Sequence, residues 1–230
     1  MKDEKMEALK RAIVQKACLK QDVYAVTKEV FSELKAVLQD VTSEIHDFIT
    51  PSDTRVIVEL KTMGAFESKM TLAGDTIIFH MHTNVFSFPD SHMIFKSPYV
   101  LKNKDNAYCG VINIYNFLTD SYRFNRLNDS GYLVGRIFVN RERHFFVEGQ
   151  SQLGFLFRDF SNSHLDGEML RSIIETAMLH IMDFDLYSPP YQLVKEVTLH
   201  DMQALSQDLR IKTGKRLGFK FSSEDGNISF

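Results

Sequence analysis

Residues 23–48, VYAVTKEVFSELKAVLQDVTSEIHDF, decide the fold class, because apolar side chains recur there at helical spacing with no glycine or proline among them. Val23, Val30 and Val37 form one row, Leu34, Val41 and Phe48 a second, and Tyr24, Phe31, Leu38 and Ile45 a third. These rows are neighbours on a helix surface and merge into one apolar stripe, wider than the seam of a two-stranded coiled coil. The stretch therefore predicts a long helix that packs, at least in part, on its own chain. Toward the N-terminus the same heptad phase reaches Met6, Leu9 and Ile13, interrupted by Lys16, Lys20 and Thr27, and Asp22 offers an N-cap. One bent helix or two consecutive helices satisfy that pattern. Toward the C-terminus the first proline is Pro51, and all eleven glycines lie at Gly64 or beyond. Helix interiors exclude both residue types and turns between strands recruit them, so the chain divides into a helical arm, 1–50, and a strand-rich body, 51–230, which together make one domain.

Beyond Pro51 the period changes to two. Strands are expected at 54–61, 76–88, 107–117, 121–127, 132–139 and 144–148, with a further one at 152–157, and Ala73-Gly74-Asp75 and the polar run 140–143 supply turns. The connections are short, which favours a meandering antiparallel sheet of about six to eight strands over parallel crossover units. In 166–185, Leu170, Ile173, Ile174, Ala177, Ile181 and Phe184 keep a 3.6 period and predict a helix packed on that sheet, ended by Pro189 and Pro190. A short helix at 199–209 and a last strand at 218–222 complete the expected α+β fold.

A chain of 230 residues has room for one substantial core. Its formal charge of −3 gives no general attraction to nucleic acid or to an anionic membrane surface, and neither is expected as a partner. The first residues, MKDEKMEALKRA, alternate charge where a signal peptide needs an apolar centre, and no later stretch is apolar enough to span a bilayer. A cytoplasmic protein is expected. Two cysteines, Cys18 and Cys109, make neither a disulfide framework nor a metal quartet and are expected as buried thiols.

Two groups of residues carry possible chemistry. In the first, Gly74 is followed after five residues by His80-Met81-His82, and residues two apart on a strand share a face, so both imidazoles are candidate ligands for one metal ion. The spacing over 74–82 resembles the start of the first cupin motif, in which a glycine precedes a His-x-His pair inside a β-barrel. That resemblance implies a metal-dependent enzyme with His80 and His82 as ligands. The family's glutamate, four or five positions after the second histidine, is replaced here by Phe86 and Ser87, and no second motif follows. Alternation also sets Ile77, Phe79, Met81 and Val85 on the apolar face, with His80, His82 and Asn84 on the other, where a hydrogen-bonded strand pair satisfies the same residues.

In the second group Arg123, Arg126, Arg136, Arg141 and Arg143 fall within twenty-one residues, interleaved with Tyr122, Phe124, Tyr132, Phe138, Phe145 and Phe146. Guanidinium forks pair with oxyanions and aromatic rings hold flat groups, so a small anionic or nucleotide-like ligand is the chemistry such a set suits. Alternation groups Arg136 with Tyr132, Val134 and Phe138, and an internal salt bridge to Glu142 or Glu148 is the competing use of its charge. The binding set expected is Arg136, Arg123, Arg126, Tyr132 and Phe138.

No phosphate-binding loop, dinucleotide fingerprint, zinc-protease helix or serine elbow occurs, and no cofactor is specified. The leading expectation is a non-catalytic module that binds a small ligand or a partner protein, regulatory or sensor-like, and forms a homodimer through the N-terminal helix. The stripe's other use is to pack wholly on its own sheet.

Overall fold

The computed structural model describes residues 2–186, 188–199 and 202. Helix α1 (Lys2–Ala12) passes through one π-helical segment (Ile13–Ala17) into α2 (Cys18–Ile49), so the arm is one unbroken helix rather than a pair. Six strands follow: β1 (Val58–Thr62), β2 (Glu67–Leu72), β3 (Asp75–Met81), β4 (Gly110–Leu118), β5 (Tyr132–Val139) and β6 (Phe145–Gly149). They form a single open antiparallel sheet in sequence order. Between them lie the short helices α3 (Pro98–Lys102) and α4 (Thr119–Arg123). After them come α5 (Ser151–Leu156), α6 (Gly167–Met182) and α7 (Tyr191–Val194). This is the α+β architecture expected, and among the described residues no helix is long and apolar enough to cross a membrane. The helix expected at 199–209 and the strand at 218–222 lie outside the described residues, but for Leu199 and Met202.

One face of the sheet is covered by α2 and α6. Ile77, Phe79 and Met81 of β3, with Ile112 and Ile114 of β4, meet Phe31, Leu34 and Leu38 of α2 and Ile173, Ile174 and Ile181 of α6 in one continuous core. Seven apolar side chains of α2 are buried, Leu19, Val23, Val30, Phe31, Leu34, Leu38 and Val41. At about 1.5–3 kcal/mol each, their burial far exceeds the few tenths gained from surface ion pairs along the helix, so packing holds α2 in place. The stripe of residues 23–48 is thus satisfied inside the chain. Residues 4–18 are all exposed, Met6, Leu9 and Ile13 by just over half, so α1 projects beyond the body.

Thr27, which interrupts the apolar period, has a packing role of its own. It is fully buried, its hydroxyl donates to the Val23 carbonyl at 2.6 Å, and a Cβ placed on Gly110 would stand 2.0 Å from its Oγ1. Only glycine lets α2 lie this close to β4. At the sheet's far corner Arg143, in a left-handed turn at φ 62°, donates to both Glu33 oxygens at 2.9 and 2.6 Å and ties the β5–β6 turn to α2. The hydrogen bond from Arg143 holds the Glu33 carboxyl below its usual range. A depressed carboxyl stabilises the fold above its unfolded pKa, and the contribution is lost as pH falls through the lowered value.

Several expectations are corrected. The segment 121–127 is not a strand: α4 makes a single turn, Asn125 sits at φ 48°, and Ser121 donates to Asp129 at 2.7 Å, which closes the segment as a polar loop. The segment 152–157 is likewise helical. A Cβ on Gly154 would fall 2.2 Å from the Gly149 carbonyl oxygen, so glycine there lets α5 fold back over the end of β6. The carbonyl of Phe157 then accepts from the Val147 N–H at 2.8 Å and covers the sheet edge. Strand β2 adds to the expected set, and its alternation is hidden in the sequence because Ser68 occupies an inward position beside Met70 and Leu72. Cys109 is fully buried, and burial pushes its thiol up, but Cys18 is exposed where the arm leaves the body.

Gly110→Ala is expected to destabilise the fold by about 2–3 kcal/mol through overpacking against Thr27, read from urea unfolding. Thr27→Ala in the same chain should recover part of that loss; simple additivity of the two changes would remove the close-approach explanation.

Candidate functional site

The sheet face turned away from α2 and α6 is only partly covered. Over β4, β5 and β6 a smaller apolar cluster, including Ile94, Val100, Cys109, Val111, Phe138, Phe146 and Phe160, lies under the 3₁₀ turns Met93–Lys96 and Lys104–Ala107 and under α3. Beside it runs a polar row. Glu67 of β2 is in register with His80 of β3, His80 with Asn113 of β4, Asn113 with Arg136 of β5, and Arg136 with Glu148 of β6. At about 4.8 Å per strand, these side chains cross some 19 Å of sheet as direct neighbours.

The row exists because of one irregularity. Gly135 pairs with Ile114 and Leu133 with Tyr115, so β5 carries an extra residue, Val134, and its alternation reverses there. Tyr132 and Val134 consequently face the helices, as do Ile137 and Val139, while Arg136 and Phe138 turn to the open face. This corrects the expectation that Arg136 shares a face with Tyr132 and Val134. A strict period of two cannot see the bulge, although Gly135 inside the run is the kind of residue that marks one.

The polar contacts along the row are unequal. Arg136 donates from Nη2 to Glu148 in an ion pair, and its guanidinium lies 5.3 Å from the Phe138 ring. Glu148 is also 3.7 Å from His92 Nε2. His92 Nδ1 accepts from the Ile94 N–H at 3.2 Å, which leaves the ring proton of the neutral form on Nε2, directed at that carboxylate. His92 further stacks on Phe88 with ring centroids 4.4 Å apart. Asn113 is only 8 % exposed and the His80 imidazole is half-buried. Two polar side chains therefore stand side by side, next to a cation.

The row ends at a groove. Glu148 and His92 line a recess of about 580 Å³ together with Ser97, Arg158, Asp159 and Ser161. A second recess of about 460 Å³, which shares Asp159 and Ser161, continues toward Tyr99, Lys102 and Asn162. Its wall is held by Tyr99, whose hydroxyl donates to Glu142 at 2.6 Å, accepts from Asn140 at 2.9 Å, and whose ring stacks on His144 at 4.1 Å. Burial first, then the Glu142 carboxylate, push the Tyr99 phenol well above its usual range, so it remains a hydrogen-bond donor.

The residues expected in one anion site are scattered. Arg126 is buried in the 119–131 loop with Asp129 at 3.6 Å and Asp120 at 3.9 Å, Arg123 is exposed beside Phe124, and Tyr132 lies on the helix side bonded to Asn116. Arg136 and Phe138 are together, and Arg123 and Arg126 both lie against the Phe124 ring. His82 lies past the end of β3, accepts the Asn84 N–H on Nδ1 at 3.0 Å and meets Phe86 edge-on. Among the described residues no group of three or more His, Cys, Asp or Glu side chains is gathered for a metal ion, and the open sheet is not the barrel that the cupin resemblance implies. The two groups the sequence separates, at His80 and at Arg136, are instead brought into a single row through Asn113. No family model matches the chain, nor does any curated protein or solved structure.

Asn113 holds an amide in a nearly closed position, and burying a polar group costs stability unless it is hydrogen-bonded. Asn113→Leu is expected to raise the unfolding free energy by about 0.5–1 kcal/mol, as removal of binding groups often does. A loss of stability in urea unfolding would show that the amide already has a structural partner.

Proposed function

We propose that the protein is a non-catalytic cytoplasmic module of regulatory or sensor-like type, which holds a small polar ligand against its open sheet face and joins a second copy through its N-terminal helix. The observation that carries the ligand reading is the adjacency of His80 and Asn113 with the Arg136–Glu148 pair on the partly open sheet face. Their chemistry suits a compact molecule that has an oxyanion or carbonyl for Arg136 and Asn113 and a donor or acceptor for His80. A carboxylate fits this description, and so does a carboxamide. Glu67 and Glu148 at the two ends of the row disfavour a highly charged anion such as a nucleoside triphosphate. None of the five side chains is a hydroxyl or thiol nucleophile, and the only cysteine near this face, Cys109, is buried and protonated. That supports binding over serine- or cysteine-type covalent catalysis.

The test is a thermal-shift screen of the full chain against small mono- and dicarboxylates, free amino acids, carboxamides, inorganic phosphate and nucleotides. At least one carboxylate or carboxamide should raise the melting temperature of the wild type, since a ligand at 100 times its Kd adds about 2.7 kcal/mol. The same compound should leave Asn113→Leu and His80→Ala unshifted. A shift that survives both substitutions would place binding elsewhere, and silence across the panel would remove the ligand reading.

A further inference from the structure

The exposed side of the long helix is a single continuous ridge. Met6, Leu9, Ile13, Ala17, Gln21, Ala25, Lys28, Ser32, Ala36, Gln39 and Ser43 are all exposed and follow one another at spacings of three or four residues. From Leu9 to Ala25 every step is four, which in a plain α-helix would carry the ridge around toward the body. The π-helical segment Ile13–Ala17 prevents this, because one inserted residue turns the downstream helix by about 100° relative to the arm. The apolar end of the ridge, at Met6, Leu9 and Ile13, thereby lies on the same side of the helix as the small-residue stretch of α2, away from the sheet.

We infer that the partner of this ridge is a second copy of the chain laid antiparallel, with the two-fold axis near Gln21 and each arm seated on the outer face of the other copy's α2. This rests on the dimer reading above and adds its geometry. Large residues then meet small ones: Met6 packs over Ala36 and Leu9 over Ser32, while Ala17 and Ala25 let the backbones approach. Charge selects the direction. Residues 4–20 carry five basic and two acidic side chains; of the six acidic side chains in 21–47, Glu29 and Glu33 pair with Arg143 and Glu44 with Arg171 of the body, which leaves Asp22, Asp40 and Asp47 to attract the basic arm in an antiparallel overlap. A parallel arm-to-arm pair would instead bring Lys5 and Lys10, which flank the stripe, against their own copies, and Lys16 and Lys20 into the seam. It would also crowd the two bodies at one end, whereas the antiparallel pair leaves them on opposite sides. An overlap of about 30 residues, or 45 Å of helix, reaches the standard size of a specific interface, on the order of 1,500 Å².

Light scattering on the full chain at micromolar concentration, with thermal melts to confirm folding, tests both levels. The wild type should run as a dimer, and both Leu9→Asp/Ile13→Asp and Ala36→Arg should run as folded monomers, since every substituted position is exposed in the single chain. A dimer broken by the arm substitutions but untouched by Ala36→Arg would overturn the antiparallel seat and leave arm-to-arm pairing. A wild-type monomer would overturn dimerisation altogether, with no consequence for the ligand row.

Discussion

The contact between Thr27 and Gly110 sets the distance between α2 and the middle of the sheet, and the rest of the molecule is arranged around it. Because β4 has no side chain at that point, the helix can lie against the strand and present Val23, Val30 and Leu34 to the core at full depth. Burial of that kind is what stabilises a 32-residue helix whose surface ion pairs are weak. It also assigns the two sheet faces different tasks. One is closed by α2 and α6, and the other is left to short turns that cover only part of it.

The division of faces concentrates polar chemistry. On the helix side the central strands are mainly apolar, Asn116 being held there by Tyr132 and Asp75, so most groups open to recognition lie on the opposite side, where register decides which of them meet. Five strands each contribute one polar side chain to the same row, and a single bulge at Val134 puts Arg136 among them. Without that extra residue Arg136 would point into the core, where an unpaired guanidinium is strongly unfavourable. The bulge and the row are therefore one feature. A comparable device acts in the arm, where an inserted residue in the π-helical segment sets which side of α1 lines up with the outside of α2.

The long helix, the change of period at Pro51, the antiparallel meander and the helix near 166–185 were legible in the sequence, because each rests on a periodic pattern longer than about two turns or one strand. The errors came where a local glycine contact or a left-handed turn overrode alternation. Gly154 against Gly149 made a helix of 152–157, and the turn at Asn125 broke 121–127. The site was legible in its parts but not in its assembly. His80 and Arg136 were singled out by residue type, yet each was grouped with its sequence neighbours, His82 in one case and Tyr132 in the other. Asn113 carried no signal at all, since an asparagine in a strand-like run is conspicuous only once its cross-strand neighbours are known. Pairing between strands is long-range information that periodicity does not contain.

Native-state hydrogen exchange tests most directly whether α2 is a wall of the fold and not an appended handle. Amides of residues 19–42 are predicted to open with the same free energy as those of β3 and β4, within about 1 kcal/mol, because one cooperative core contains both. If the α2 amides exchanged through a much cheaper opening while the sheet stayed protected, the helix would be an independent element and this account of the fold would fail.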